Sequence, residues 1–248
     1  MAGGDLISHP SLAQVSHRPW PLPASRWNWR QQWRQLAFVH YRVDVKALAR
    51  LLPADVTIQE YDGSAWVGVV PFRMKDVMRG SWPSVYPLRD FPELNVRTYV
   101  EREGRPGVWF ISLDADCWPM VVGGRFFYGL PYHRAKMRHR WVGDRFDFAS
   151  DRISKPAIFR AQYAPKGPVY VAEPGTFAHW IAERYCFYAR GNSGVYALDV
   201  HHLPWPLQDA EVEVQQSTLF ESMGLPADQR CPVCHYSAGV EVIAFPRG

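Results

Sequence analysis

The sequence predicts an α+β fold that is predominantly antiparallel β, built as a β-barrel or bent sheet with a few short helices. Stretches rich in β-branched and aromatic residues recur along the chain, and residues 65–72 are typical of them. Over residues 94–100 the sequence alternates with the period of a half-buried strand: one face carries Leu94, Val96, Thr98 and Val100, and the other carries Asn95, Arg97 and Tyr99. Helical spacing of apolar residues is confined to three or four short segments, and many strands with few helices favour the α+β class.

Residues 33–53 are predicted to form a strand that leads into a short helix. Asp44 is a good N-cap for a helix over 45–52, which Pro53 stops. Arg34 lies outside the apolar pattern of the strand. The residues expected on its buried side are Leu36, Phe38 and His40.

The middle of the chain predicts a hairpin and then a helix. Arg105-Pro106-Gly107 is expected to turn the strand over 94–100 into a second strand over 108–113. Pro119 suits the first turn of a helix that ends near Phe127. Within it, Gly123-Gly124 is expected to permit close packing of the helix or a tight turn.

The remaining elements follow from the same periodicities. Thr176 is predicted to cap a helix over 177–185. A further short helix is predicted over 217–223. Strands are predicted over 132–140, 145–150, 157–163, 195–201 and 240–244.

The composition is that of a globular protein, with 47% hydrophobic and 21% charged residues in a chain of 248. Residues 1–25 are rich in Pro, Ser, Gly and His and are predicted to form a flexible N-terminal arm, which could lie across a partner subunit of a homo-oligomer. No later stretch resembles a linker and no repeat is visible. Residues 26–248 are therefore predicted to form a single domain.

The charge and hydropathy patterns limit the classes of partner that are expected. The net charge of +4 is small and dispersed, which argues against a nucleic-acid-binding protein. No apolar run approaches the roughly 18 residues of a membrane span, and residues 1–25 lack the apolar core of a secretory signal. We therefore expect a cytoplasmic protein with reduced cysteines, no membrane partner and a small-molecule ligand.

One cysteine motif could indicate a haem, redox or zinc site or a plain loop. Cys231-Pro232-Val233-Cys234-His235 matches the C-x-x-C-H pattern of haem attachment. Haem attachment requires an exported chain, a redox C-x-x-C usually opens a helix, and a zinc site needs further ligands. The motif instead precedes the last predicted strand, and no spacing joins it to another Cys or His. The favoured interpretation is a loop without metal or cofactor.

Several strings occur in an order that resembles a known family. The strings are W-x-x-L-x-F-x-H, L-L-P, D-G-x-A-W-V-G-V-V-P-F, F-x-E-L-N-V-R-T-Y-V, G-V-W-F-x-S-L-D-A, E-R-Y and H-x-P-W-P-L. With them the chain is similar, over about 30–245, to the YqjF-like proteins, a bacterial family of unknown function (domain of unknown function 2071) in the acetoacetate-decarboxylase-like superfamily. The resemblance implies an acetoacetate-decarboxylase-like β-barrel or bent sheet.

The decarboxylases of that superfamily are more distant, and their site residues transfer only by position. The resemblance matches the family's arginine ahead of the first helix to Arg34 and its pocket glutamate to Glu93, although a carboxylate at a strand end is more often exposed. The family's helix with V-G-R-E, followed by Pro and two lysines, matches the segment in which Arg125 keeps the arginine. Tyr132 and His133 then replace both lysines.

The replacement removes the amine that forms a Schiff base with a keto acid, since neither Tyr nor His forms a stable one. Lys136 is four positions beyond Tyr132, about 13 Å along a strand, and is expected at the surface or rim. The pocket is then implied without the decarboxylation.

Three hypotheses remain open. The first is an enzyme that does non-covalent acid/base chemistry on a small carboxylate- or carbonyl-bearing substrate. Its catalytic residues would be Glu93, Tyr132 and His133, with Arg34 and Arg125 binding the substrate and no cofactor or metal. Since Tyr132 and His133 alternate on a strand, only one of them is expected to face the pocket. The second is a ligand-binding or sensor module without catalysis, and the third is a structural protein.

Overall fold

The computed structural model describes residues 9–80, 82–191, 193–228 and 232–247. Within them, twelve strands and four short helices confirm the predicted α+β class with its bent, strand-rich sheet. The helices are α1 (Val45–Ala49), α2 (Trp118–Tyr128), α3 (Phe177–Ala182) and α4 (Leu219–Met223), preceded by a 3-10 helix at Pro10–Ala13. The strands are β1 (Trp29–Val43), β2 (Thr57–Ile58), β3 (Ala65–Arg79), β4 (Asp90–Arg102), β5 (Arg105–Ala115), β6 (Tyr132–Val142), β7 (Arg145–Arg152), β8 (Ile158–Tyr170), β9 (Cys186–Gly191), β10 (Gly194–His201), β11 (Leu207–Ser217) and β12 (Val233–Ala244).

The strands form one sheet in the order β10-β9-β5-β6-β7-β8-β11-β12-β1-β3-β4-β2. Two further pairings, β4 with β5 and β10 with β12, join it into two closed rings of strands. One ring runs β4-β5-β6-β7-β8-β11-β12-β1-β3, and the other runs β4-β5-β9-β10-β12-β1-β3. The pairings are antiparallel except those of β5 with β6 and with β9.

Alternate residues of the shared strands fill two separate cores. On β1, Leu36 and Phe38 join the core on the side of β10, α2 and α3. Ala37 and Val39, one position along, join the core on the side of β7, β8 and α4. The period-2 rule of strands therefore decides which ring a residue faces. We call the first the α2/α3 core and the second the β7/β8 core.

Local signals explain where several elements begin. The side chain of Asp44 accepts a hydrogen bond from the backbone N–H of Ala47, which confirms it as the cap of α1. The side chain of Thr176 does the same for His179 in α3, although this helix ends at Ala182, short of the predicted 185.

The predicted hairpin exists, but its turn was placed wrongly. Arg105-Pro106-Gly107 lies inside β5, and the chain turns at Glu103-Gly104. Both turn residues have positive φ, 54° and 75°. Such angles suit two-residue hairpin turns because they match the twist of the flanking strands.

Part of the predicted N-terminal arm, residues 9–25, lies within the described chain. Its Arg18 is buried and donates to the carbonyl of Val200 at 2.7 Å, and His17 contacts the carbonyl of His202 at 2.9 Å. The division into an arm and a domain over 26–248 stays a prediction. Among the described residues, no helix combines the length and the apolar character needed to cross a bilayer.

Candidate functional site

Glu93 and Tyr132 meet in the α2/α3 core. Glu93 lies on β4, where Phe72 of β3 and Ala115 of β5 are its partners across the sheet. Tyr132 is the first residue of β6, and its hydroxyl donates a hydrogen bond to Oε2 of Glu93 at 3.0 Å. Both side chains are buried, with exposed fractions of 3% and 4%.

Burial keeps this pair uncharged. Loss of solvent raises the pKa of Glu93 to about 8, because the apolar surroundings penalise the carboxylate more than the Tyr132 hydrogen bond stabilises it. Burial also raises the pKa of Tyr132 well above its usual value, and the neighbouring Glu93 carboxyl adds to the rise. At neutral pH the Glu93 carboxyl is therefore a neutral acid, close to the pH at which it can exchange a proton.

A glycine brings α2 against Tyr132. A Cβ built on Gly124 would come within 2.5 Å of the tyrosine ring, whereas one built on Gly123 would meet nothing within 4 Å. The expectation that this pair permits close helix packing is confirmed for Gly124. The missing side chain lets α2 cover the Glu93–Tyr132 pair directly.

His133 lies on the other side of the strand. Its neighbour across the sheet is Asp114. Asp114 forms an ion pair with Arg152 at 2.8 Å and accepts a hydrogen bond from the Ser150 hydroxyl at 3.0 Å. The half-buried imidazole has its pKa lowered to about 4, first by burial and then by the positive charge of Arg152. The structure therefore brings together Glu93 and Tyr132 but separates His133 from them.

The two predicted anion anchors lie at the surface. Arg125 is exposed on α2. Arg34 keeps a third of its side chain exposed, donates to the side chain of Gln32, and lies 4.0 Å from a carboxylate oxygen of Glu241. Trp33, one position earlier on β1, is the residue that faces the α2/α3 core, where its ring stacks on Trp205. Their role in substrate binding stays a prediction.

No lysine amine approaches the pair. Lys136 is exposed on β6, which confirms its expected surface position. Lys75 is half-buried and pairs with Asp90 at 3.6 Å. The remaining lysines are all exposed, namely Lys46, Lys155 and Lys166.

Sequence reasoning missed two arginines that are buried in the same core as this pair. Arg97 is four residues from Glu93 on the same face of β4, and Arg184 follows α3. Their exposed fractions are 7% and 8%. The alternation over 94–100 could have found Arg97, since it puts residues 93, 95 and 97 on one face. No local pattern marks Arg184.

Other features of the described chain lie apart from this site. Cys231 of the C-x-x-C-H motif lies outside the described residues, while Cys234 and His235 belong to β12 instead of the expected loop. In the part of the chain that the structure describes, no three His, Cys, Asp or Glu side chains are grouped to hold a metal. Two open surface clefts, one beside Asp44 and Pro226 and one along residues 15–22, contain none of the predicted site residues.

The sequence matches a family model and is similar to known proteins. The model of the family DUF2071, described as an uncharacterized conserved protein, matches residues 30–241. The uncharacterized protein YqjF of Bacillus subtilis is 37% identical over 226 residues, which are 91% of this chain and 93% of that protein. An acetoacetate decarboxylase of Streptomyces nogalater is 30% identical over 105 residues, covering 42% of this chain and 38% of that protein.

Solved structures agree on the fold. An acetoacetate decarboxylase from Legionella pneumophila superposes with a TM-score of 0.60 at 18% identity, covering 100% of this chain and 96% of its own. The enduracididine biosynthesis enzyme MppR in complex with pyruvate superposes with a TM-score of 0.61 at 15% identity, covering 93% and 91%. At these identities the likeness concerns the fold alone.

Proposed function

The chain belongs to the DUF2071 family of uncharacterized conserved proteins, and on that premise we propose that it is an enzyme of non-covalent acid/base chemistry. Its substrate would be a small molecule that carries a carbonyl or carboxylate group. The observation that carries the proposal is the hydrogen bond between Tyr132 and Glu93 inside an aromatic core, at the position that the resemblance gives to the decarboxylase lysines.

The proposed step is removal of a proton from the carbon next to a carbonyl group. The carboxylate of Glu93 takes the proton, and the electron pair of the C–H bond becomes the enolate. The Tyr132 hydroxyl then donates its hydrogen bond to the enolate oxygen instead of to Glu93. A pKa of about 8 makes Glu93 a stronger base than an ordinary carboxylate, at the cost of being mostly protonated at neutral pH.

The lysine positions support chemistry without an imine, and one comparison supports a small oxo acid as substrate. The lysine amines are exposed or paired, as described above, so a covalent adduct of the decarboxylase kind has no nearby nucleophile. MppR, with which the chain shares its fold, has been solved with pyruvate, so the fold accommodates a small oxo acid in that protein.

The proposal is tested by proton exchange at carbon. Small ketones and oxo acids are incubated with the protein in D2O, and loss of the C–H signals next to the carbonyl is followed by proton NMR. We expect exchange above the buffer rate, increasing with pH through about 8 as Glu93 ionises. Glu93→Gln should abolish it, and Tyr132→Phe should slow it by about 100-fold through loss of the oxyanion donor.

A matched variant and a competing residue sharpen the test. Glu213→Gln changes an exposed glutamate of β11 in the same way and should leave the exchange rate unchanged. Exchange lost in His133→Gln but kept in Glu93→Gln would contradict the proposed pair. Trapping of a substrate on Lys136 by borohydride would contradict imine-free chemistry.

The second candidate is a ligand-binding module without catalysis. One observation favours it: Glu93 and Tyr132 satisfy each other's hydrogen bond, as a purely structural pair would. This candidate predicts saturable binding of small acids with exchange no faster than in buffer.

A further inference from the structure

Two arginine side chains are buried in the α2/α3 core, and neither has an acidic partner within the part of the chain that the structure describes. Arg97 donates from Nη2 to the carbonyl oxygen of Ile181 at 3.0 Å. Arg184 donates from Nε to the carbonyl of Trp180 and from Nη1 to the side chain of Gln59, both at 2.6 Å. Both guanidinium groups lie against the ring of one tyrosine, Tyr99, at 5.6 and 5.0 Å from its centroid.

These contacts leave both groups incomplete. Nε of Arg97 and Nη2 of Arg184 are buried without a hydrogen-bond acceptor. Across residues 9–80, 82–191, 193–228 and 232–247, no Asp or Glu oxygen forms an ion pair with either arginine. Arg152, the buried arginine behind the sheet, has Asp114 at 2.8 Å. Two uncompensated buried charges are costly, and an anion would offset that cost.

Their mutual repulsion is visible in the ionisation of Arg184. Burial lowers its pKa to about 10, with the positive charge of Arg97 adding to the fall and Tyr99 opposing it. A folded core that places two like charges together, with donors unused, is typical of a site that receives an opposite charge from a ligand.

The same face of β4 joins the arginines to the Glu93–Tyr132 pair. Glu93, Asn95 and Arg97 are alternate residues of a strand that is regular in its pairing with β3. Asn95 lies between the other two, buried, with an Oδ1 atom that accepts no hydrogen bond. The three side chains form a polar row across an aromatic core, with about 13 Å between the backbone positions of Glu93 and Arg97.

We infer that Arg97 and Arg184 bind the carboxylate of an oxo acid whose carbonyl group lies at Glu93 and Tyr132. This inference rests on the proposed function, because it names the substrate class of the same site. The carboxylate and the carbonyl group would bind at different ends of this row, so the acid must carry carbon atoms between them. We propose a 4-oxo acid, which has two such carbons, whereas a 2-oxo acid has none. The unused N–H groups of the two arginines become donors to the carboxylate.

Helix α3 controls access to this row. Phe177 packs on Trp66 with ring centroids 4.3 Å apart, and Trp180 packs on Tyr99 at 4.4 Å. These contacts pack α3 beside the arginine end of the row, and we expect binding to require α3 to shift. The arginines donate to the carbonyls of Trp180 and Ile181 at the end of that helix through N–H groups other than the unused ones that would bind the carboxylate.

The competing explanation is that both arginines only hold the end of α3. It predicts that their replacement lowers stability equally with and without ligand. Isothermal titration calorimetry separates the two explanations with three probes: levulinate (4-oxopentanoate), its methyl ester, which lacks the charge, and pyruvate, in which the carbonyl adjoins the carboxylate.

We expect the wild-type protein to bind levulinate at least tenfold more tightly than the methyl ester and than pyruvate. Arg97→Gln and Arg184→Gln should bind the acid no better than the ester. Arg50→Gln, a change at an exposed arginine after α1, should keep the wild-type preference. Preference lost in Arg34→Gln or Arg125→Gln instead would overturn the inference in favour of the surface anchors, and equal wild-type affinity for acid and ester would overturn it outright.

Two further measurements cover variants that fail to fold and separate this inference from the proposed function. If the glutamine variants unfold, a crystal structure of the wild type with levulinate decides: a carboxylate on Arg97 and Arg184 supports the inference, and one elsewhere overturns it. Acid-selective binding that depends on the arginines, without Glu93-dependent exchange, would sink the proposed function alone. Exchange in the arginine variants at the wild-type rate and wild-type KM would sink this inference alone.

Discussion

Glu93 shows how position decides what a carboxyl group can do. Among the described residues, its carboxyl group has one hydrogen bond, the one from Tyr132, and burial against aromatic side chains raises its pKa to about 8. Asp147 on β7 is the opposite case, since hydrogen bonds from Arg138 and Arg140 lower the pKa of its carboxyl. Desolvation dominates at the first position and opposite charge at the second.

The raised pKa of Glu93 links folding stability to pH. Between about 4.5 and 8 the folded chain holds a proton on Glu93 that the unfolded chain releases, so the free energy of unfolding falls as pH rises. The contribution is at most about 1.4 kcal/mol per pH unit. Glu93→Gln removes the ionisation, and the variant should gain stability relative to wild type at each step from pH 5 to 8 in urea unfolding.

The comparison has a matched control in Glu213→Gln, which removes an exposed carboxyl. Its stability difference from wild type should not grow over the same pH range. A constant difference between Glu93→Gln and wild type from pH 5 to 8 would show that the Glu93 carboxyl does not carry the raised pKa.

The packing of α2 on β6 illustrates how one missing side chain sets the distance between elements. Cys117 and Val121 of this segment are buried in the α2/α3 core, while Phe126 and Phe127 at its end are exposed. Gly124 lies where the helix meets the Tyr132 ring. The helix ends at Gly129, whose φ of 56° suits a left-handed C-cap.

Substitution at the two adjacent glycines should therefore have opposite effects. In Gly124→Ala the new Cβ falls 2.5 Å from the Tyr132 ring, and we expect a loss of about 1–3 kcal/mol from overpacking. In Gly123→Ala the Cβ meets open space, and helix propensity should add up to about 1 kcal/mol. Chemical denaturation of the two variants measures both changes, and equal effects would contradict the close contact.

The elements that sequence reasoning found are those with local causes. The caps Asp44 and Thr176 act within three residues, so a short string is enough to reveal them. The turn at Glu103-Gly104 was displaced because Pro106 looks like a turn residue, although here it pairs with Glu101 inside the sheet. Strand β11 was missed although Ala210, Val212 and Val214 alternate with exposed Glu211 and Glu213, which is the pattern of a half-buried strand.

The candidate site depends on the whole molecule. Glu93 could be named through the resemblance, but its burial depends on strands from both ends of the chain that close around it. Arg97 and Arg184 come from separate elements, and only the ring closed by β9 and β10 puts them against one tyrosine. Long-range closure of this kind leaves no local sequence pattern at Arg184, and the alternation of β4 marks only the face on which Arg97 lies. The predicted anchors, Arg34 and Arg125, rest on the resemblance.

The two closed rings also bury several histidines, and we expect these histidines to lower the stability of the fold at acid pH. His139 is buried in the β7/β8 core with Nε2 2.7 Å from the hydroxyl of Tyr163. His201 is buried beneath the N-terminal segment with Nε2 2.9 Å from the carbonyl of Ser11. Burial lowers the pKa of each to about 4, and the charges of Arg73 and Arg18 respectively contribute to that fall.

Stability should therefore reach its maximum near pH 6.5. Between about 4 and 6.5 the unfolded chain binds protons on these histidines that the folded chain does not, so the free energy of unfolding rises with pH. Each histidine contributes up to about 1.4 kcal/mol per pH unit, and together they outweigh the opposite slope of Glu93. Above pH 6.5 the histidine contributions end and the Glu93 slope dominates, so stability should fall toward pH 8. Guanidinium unfolding from pH 4.5 to 8.5, followed by tryptophan fluorescence, measures the curve. In His139→Gln the free energy of unfolding should rise less steeply between pH 4.5 and 6.5, because the folded and unfolded chains then differ by one proton fewer. A slope as steep as that of the wild type would show that His139 is not a neutral, buried group in the folded chain.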